Sequence, residues 1–151
     1  MSGMSGSYNA VTWLLDRNVD EGRGAKLAFT DTVSELSYGD LQKQSCRVAN
    51  MLRRLGVRRE ERVAMIMLDT VDFPCVFLGA IRAGIVPVPL NTLMTVEQWH
   101  VLIDDSRAEA VVISADLYDK AAPMLADVAK ARHLHVIVAG APGNDAALGL
   151  D

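Results

Sequence analysis

The sequence predicts an α/β fold, a mainly parallel sheet with helices on both faces. Three observations predict it. Short apolar runs at 62–68, 85–90, 110–114 and 134–138 alternate with stretches of helical periodicity, the order that builds parallel strands joined by crossover helices. Half of the residues are hydrophobic but only 5% are aromatic, so Ala, Val, Leu, Ile and Met make the core. Such side chains suit helices packed closely on a sheet covered on both faces. The chain has 151 residues, the size of one domain, and its hydrophobic content excludes the disordered class.

Residues 1–8, rich in Gly and Ser, are expected to be a flexible N-terminus. A first helix is expected over 9–18, with Val11, Leu14 and Leu15 on one side and Trp13 offset, before a charged, Gly-containing turn at 20–24. Segments 27–30 and 35–37 read as a short hairpin around 31–34. Ser37-x-x-Asp40 resembles a capping box with Asp in place of Glu. It opens the clearest helix, in which Leu41, Ser45, Val48, Leu52 and Leu55 recur at helical spacing and Gly56 provides the stop. Residues 62–68 read as a buried strand. Residues 70–72 cap a helix that tolerates Pro74 in its first turn, carries Val76, Phe77, Ala80 and Ile81, and ends at Gly84.

In 85–90, Pro87 and Pro89 forbid a helix, and two prolines in one strand imply a sheet edge or a strand end. Thr95-x-x-Gln98 is a second capping box, before a helix whose Val96, Trp99, His100 and Ile103 share a face. Strand 110–114 follows, then a helical stretch capped by Asp116, split by Pro123 and running to about residue 132, then a last strand at 134–138. Residues 139–151 are expected to be a loop or linker, leaving 9–138 as one α/β unit.

Charge and side-chain chemistry narrow the function. Fifteen Lys and Arg against 19 Asp and Glu give a net charge of −4, so nucleic acid is not an expected partner. Arg53, Arg54, Arg58, Arg59 and Arg62 nevertheless cluster. They read either as the solvated end of a helix, where cations are favourable, or as a phosphate-binding patch. Cys46 and Cys75 lie in apolar helical patterns and read as buried thiols of a reducing compartment. There is no basic-then-apolar leader at the N-terminus and no apolar run near the roughly 20 residues of a membrane span. A cytoplasmic protein without a membrane partner is expected.

Gly22-Arg-Gly-Ala-Lys26 has glycines but precedes a strand rather than a helix, the wrong place for a phosphate loop. The Ser/Gly run at 2–7 has no strand before it and no lysine after it. His133 and His135, two apart on a strand, share a face, but two ligands do not make a zinc site, and surface histidines are expected. His100 beside Trp99 reads as a half-buried structural histidine, and the adjacent Asp104 and Asp105 face different directions. Composition and spacing deliver an α/β domain and no reaction.

Order and wording go further. Glu35-Leu-Ser-Tyr-Gly-Asp-Leu41, Ala49-Asn-Met-Leu-Arg-Arg-Leu-Gly-Val57 and Glu61-Arg-Val-Ala-Met-Ile-Met-Leu68 come in that order. Phe77-Leu-Gly-Ala-Ile-Arg-Ala-Gly-Ile-Val-Pro-Val-Pro-Leu-Asn-Thr92 follows them. Together they resemble the opening of the adenylate-forming, or AMP-binding, synthetases: acyl- and aryl-CoA ligases, luciferases and the adenylation domains of peptide synthetases. The resemblance runs from about residue 11 to 138. Asn9-Ala-Val-Thr-Trp-Leu-Leu-Asp-Arg-Asn18 and Pro89-Leu-Asn-Thr-Leu-Met-Thr95 look most like benzoate–CoA ligases and related aryl-CoA ligases.

The resemblance implies the first subdomain of the large N-terminal domain of such a synthetase. The parent enzyme would use ATP and Mg²⁺ to convert benzoate or another aryl acid to an acyl-adenylate and pyrophosphate, then pass the acyl group to coenzyme A. It also implies that the phosphate loop ending in Pro-Lys, the adenine and ribose contacts and the lysine of a mobile C-terminal domain lie beyond residue 151. The segment is then a scaffold, inactive alone, with no catalytic residue, metal ligand or cofactor of its own. Its partner is the remainder of the synthetase.

Asn91, Thr92 and Leu93, after the proline-rich strand, form the loop expected on the substrate or CoA side, because ligands sit at strand ends in α/β sheets. Some aryl-CoA ligases carry an arginine at the position of Leu93, contacting CoA phosphate; that contact does not carry over here. Asn91 also reads as a plain turn residue. Two other functions stand beside the ligase: a non-catalytic α/β binding or assembly module, and a self-contained nucleotide-binding domain. The second is disfavoured because no glycine loop follows any strand. A segment parted from its remainder exposes apolar surface and is expected to self-associate, a homodimer being one form, or to be poorly soluble.

Overall fold

The computed structural model describes residues 8–140; all but the last residue of the expected flexible N-terminus at 1–8, and residues 141–151 of the expected linker, lie outside the described residues. Two wide helical turns, Thr12–Asp16 and Val19–Arg23, open the chain. The helical path thus runs through the turn expected at 20–24, and Gly22 at φ 82° makes the break. Val11 and Leu15 are buried, but Leu14 is 56% exposed, contrary to expectation. Wide, i→i+5 winding keeps residues four apart in line and rotates the residue at i+3 off the shared face.

The antiparallel hairpin is β1, Leu27–Thr30, with β2, Glu35–Ser37. Helix α1, Tyr38–Arg54, starts at the Ser37 cap, whose Oγ accepts from Asp40 N at 3.1 Å and donates to Asp40 Oδ2 at 2.6 Å. The carboxylate thus engages the hydroxyl instead of reaching back to the Ser37 backbone as a full capping box requires. Then come β3, Arg62–Ile66; α2, Asp72–Ala83; β4, Val86–Pro89; and α3, Val96–Asp105. The chain continues with β5, Ala108–Ser114; α4, Ala115–Ala131; and β6, His135–Ala139.

The four strands β4-β3-β5-β6 form an all-parallel sheet, as the alternation predicts. Helices α1 and α2 bury Val48, Leu52, Val76 and Ala80 on one face, while α3 and α4 bury Trp99, Ile103, Leu125 and Val128 on the other. A third cluster, with Val11, Leu15, Leu36, Leu41 and Cys75, ties the opening turns and the hairpin to α1 and α2. Helices α1 and α2 meet closely at Gly79, where a Cβ would stand 2.6 Å from Val48 Cβ. Nothing but glycine fits there without displacement.

Strand β4 is an edge, and its prolines obey the ladder. Val86 N donates to Glu61 O at 2.8 Å and Leu90 N to Met65 O at 2.9 Å, so the even-numbered residues face β3. Pro87 and Pro89 therefore turn their missing donors toward the open edge, where no bond is lost.

Three expected helix signals are corrected. Helix α2 begins at Asp72 with no side-chain cap from residues 70–72; instead Asp31 Oδ2, in the hairpin turn, accepts from Val71 N at 2.9 Å. Asp116 does not cap α4: the residue before the helix is Ser114, and Asp116 lies inside the first turn, where its charge still interacts favourably with the helix dipole. Pro123 does not split α4, which runs unbroken. Pro123 is on the exposed side, so the Asp119 carbonyl it leaves unbonded faces water, while Ala121, Leu125 and Val128 hold the helix to the sheet.

Candidate functional site

In this sheet β4 lies on one side of β3 and β5 on the other, so the winding reverses between β3 and β5. The crevice beyond the carboxyl ends of these strands is where open α/β sheets receive ligands. Ser114, at the end of β5, is buried, and its Oγ accepts from Leu68 N at 3.0 Å, closing the gap between the two strand ends. That bond explains why the Ser114 hydroxyl does not cap α4.

Beside this closure stand two carboxylates. Asp31 accepts from Val71 N at 2.9 Å, Val33 N at 2.8 Å and Ser34 N at 2.7 Å. These backbone donors, Val71 first, hold its carboxyl below the ordinary carboxylate pKa. Asp72 is the opposite case: burial, and then the charge of Asp31, raises its pKa. It sits near the end of β6, where a Cβ on Gly140 would be 3.6 Å from Asp72 Oδ2. Among the described residues no group of three or more His, Cys, Asp or Glu is disposed to hold a metal ion. The visible work of Asp31 is to anchor the hairpin turn on the start of α2.

The loop after β4 also reaches this end of the sheet. Asn91 Oδ1 accepts from Leu93 N at 2.9 Å, and Asn91 O accepts from Trp99 Nε1 at 2.9 Å and from Met94 N at 3.2 Å. Asn91 thus makes the local turn that its residue type allows. Thr92 is half-buried and Leu93 is 90% exposed. The Thr95–Gln98 capping box is complete, and Trp99 is fully buried with the Lys120 ammonium 4.7 Å from its ring centre. These bonds frame the loop, which presents Leu93 outward.

The remaining candidates are dispersed. The rings of His133 and His135 share one side, edge to face with centres 4.9 Å apart. His100 is exposed rather than half-buried, with Nε2 3.1 Å from Asp104 Oδ2 on the outer side of α3. Cys75 is buried, and desolvation pushes its thiol up to about 12, so it is inert rather than nucleophilic. The Gly22–Lys26 stretch packs its backbone on the start of α1, Gly24 O accepting from Gly39 N at 2.8 Å and Lys26 O from Tyr38 N at 3.0 Å.

Sequence reasoning missed Asp31, Asp72 and Ser114. Only Asp31, opening a turn with Ser34, carried a local signal, and that signal gave the turn and not its bond to α2. Among the described residues, no helix is long and apolar enough to cross a membrane.

The sequence pattern of the AMP-binding enzyme family matches residues 15–148. The 4-hydroxybenzoate–CoA/benzoate–CoA ligase of Rhodopseudomonas palustris is 49% identical over 132 residues, covering 87% of this chain and 24% of that protein. The benzoate–CoA ligase of Thauera aromatica is 40% identical over 139 residues, 91% of this chain and 26% of that protein. A crystal structure of a benzoate CoA ligase from Burkholderia xenovorans superposes with a TM-score of 0.78 at 36% identity, over 87% of this chain and 26% of its own. The chain thus spans about a quarter of the length of these relatives. With fold, motif order and these likenesses agreeing, the chain belongs to the AMP-binding enzyme family and is similar over most of its length to benzoate–CoA ligases.

Proposed function

We propose that this chain is the scaffold of an ATP-dependent carboxylate–CoA ligase of the cytoplasm, acting on benzoate or another aryl acid. The observation that carries the reading is the 49% identity to a 4-hydroxybenzoate–CoA/benzoate–CoA ligase over 87% of the chain. In such a reaction the carboxylate attacks ATP to give an acyl-adenylate and pyrophosphate, and the CoA thiolate then displaces AMP. In this proposal the groups that hold ATP and Mg²⁺ belong to the remainder of the synthetase. What the described residues supply is a closed strand end at Leu68 and Ser114 and a framed loop at residues 91–95.

Residues Asn91, Thr92 and Leu93 face the CoA or substrate side in this proposal. Leu93→Asp leaves the fold intact because the side chain is 90% exposed, and it raises KM for CoA by placing a carboxylate near phosphate. An unchanged KM removes the loop from the site. The remainder of the synthetase covers exposed apolar residues such as Trp13, Leu14, Leu27, Phe29, Val33 and Val101. Parted from it, the chain self-associates, and a clean monomer by sedimentation contradicts that.

The decisive assay is thioester formation from benzoate, ATP and CoA. The protein encoded by the complete reading frame forms benzoyl-CoA or a related aryl-CoA; residues 1–151 alone form none. The reading fails if the complete protein forms no aryl-adenylate from any aryl acid, or if the 151-residue chain alone is active.

A further inference from the structure

Neither the scaffold role nor the strand-end site accounts for the five clustered arginines, and the structure divides them. Arg58 pairs with Glu61 at 2.9 Å, and Arg62 donates to Ser106 O at 2.6 Å and Glu60 O at 3.2 Å. Arg54 points to solvent at the end of α1. Arg53 and Arg59 instead line one groove of about 430 Å³, together with Tyr8, Asn9 and residues 81–85. The groove lies at the amino ends of β3 and β4, opposite the strand-end crevice.

No carboxylate lines it among the described residues. The end of α2 is an unfavourable place for an anion, because its last carbonyls carry partial negative charge. Here three carbonyls of the groove are already engaged. Ile81 O accepts from Asn9 Nδ2 at 2.9 Å, Arg82 O from Arg53 Nη2 at 3.2 Å, and Gly84 O from Glu60 N at 2.8 Å. The Arg82 guanidinium is turned away to Asp16. The charged side chains left to the groove bring donor capacity and positive charge.

Arg59 lies along Gly84, whose left-handed φ of 78° and missing Cβ make the room; a Cβ there would be 3.2 Å from Arg59 Cγ. Arg53 uses only one of its several donors on Arg82 O. Each guanidinium is a planar fork that matches one phosphate group. The volume is that of a small-ligand site.

We propose that this groove binds a diphosphate anion, clamped by Arg53 and Arg59. The diphosphate is either inorganic pyrophosphate or part of a nucleoside diphosphate whose base stacks on the exposed Tyr8 ring. The inference stands apart from the ligase reading, and aryl-acid assays do not bear on it.

Calorimetric titration of the protein with inorganic pyrophosphate and, separately, with ADP tests it in a low-salt chloride buffer. A saturable component with pyrophosphate is expected, weakened about tenfold or more by Arg59→Gln, since a charge-assisted pair to phosphate is lost. Equal affinity for ADP assigns the site to the diphosphate alone. Tighter ADP binding that Tyr8→Ala reduces to the pyrophosphate level assigns it to a nucleoside diphosphate. Arg59 is exposed and makes no ion pair among the described residues, so Arg59→Gln keeps its melting temperature and decides the matter even if Arg53→Gln unfolds. No saturable binding of either probe, or binding indifferent to Arg59→Gln, overturns the proposal.

Discussion

Replacing Arg82 with Leu removes the centre of a network that joins three parts of the chain. The Arg82 guanidinium grips Asp16 with two bonds, at 2.6 and 3.1 Å, and its Nε donates to Ser45 Oγ at 3.2 Å. Gln42 Nε2 adds a bond to Asp16 Oδ1 at 2.9 Å. The opening turns, α1 and α2 thus meet at one ion pair. Its side chains are 20% and 17% exposed, between the surface pairs that contribute ~0–1 kcal/mol and the fully buried ones whose disruption costs ~3–5 kcal/mol. Arg82→Leu leaves Asp16 charged, half-buried and held by Gln42 alone, so a cost of about 2–3 kcal/mol is expected. In a domain of this size that lowers Tm by about 5–10 °C.

The Asp16 pKa gives the same network a pH signature. Burial raises it, but the bonds from Arg82 and Gln42 and the Arg82 charge outweigh burial, and the net value lies below the ordinary one. A depressed folded pKa means stability that is present above the unfolded pKa of about 4 and lost as pH falls through the folded value. Thermal melts of wild type, Asp16→Asn, Arg82→Leu and the double variant close a cycle. The expected coupling is about 1–2 kcal/mol at neutral pH, shrinking toward pH 3. Additive single effects, or an Arg82→Leu melt within a degree of wild type, refute the reasoning.

Other positions give further checks. Gly79→Ala forces a Cβ to 2.6 Å from Val48 Cβ and 3.0 Å from Ser45 O, and urea denaturation is expected to show a loss of about 1–3 kcal/mol as α1 and α2 separate. Thr95→Ala deletes the hydroxyl that accepts from Gln98 N and costs about 1 kcal/mol by the same measurement. With Cys46 replaced by Ser, a thiol reagent at pH 8 finds Cys75 unreactive in the folded protein and reactive in urea, because its pKa near 12 keeps the native thiol protonated. Asp31→Asn keeps an oxygen for Val71 N but removes the charge facing Asp72. The Asp72 carboxyl, followed by NMR, is therefore expected to titrate at lower pH than in wild type, with burial alone left to raise it.

Much of the fold was legible in the sequence because its signals are local. Capping at Ser37 and Thr95 depends on donors three residues away, and strands 62–66, 86–89 and 108–114 announce themselves by short apolar runs. The two prolines implied an edge or a strand end for β4, and the sheet order makes it an edge. Helical periodicity read most of the regular helices correctly but misplaced His100, which lies on the outer side of α3, and it failed at Leu14, where wide turns change the spacing. Pro123 misled because a proline's cost depends on which side of the helix it occupies, and that side is set by the sheet beneath.

The order of elements, their two-sided burial and the likeness to adenylate-forming synthetases were thus determined by sequence alone. Only the tertiary structure decided that Asp16 meets Arg82 across 66 positions, that Asp31 serves α2 across 40, and that two arginines of five converge on one groove. The physical reason is range. Capping and periodicity are fixed within a turn or two of chain, whereas an ion pair between distant residues exists only after packing has brought their backbones together and excluded water from between them.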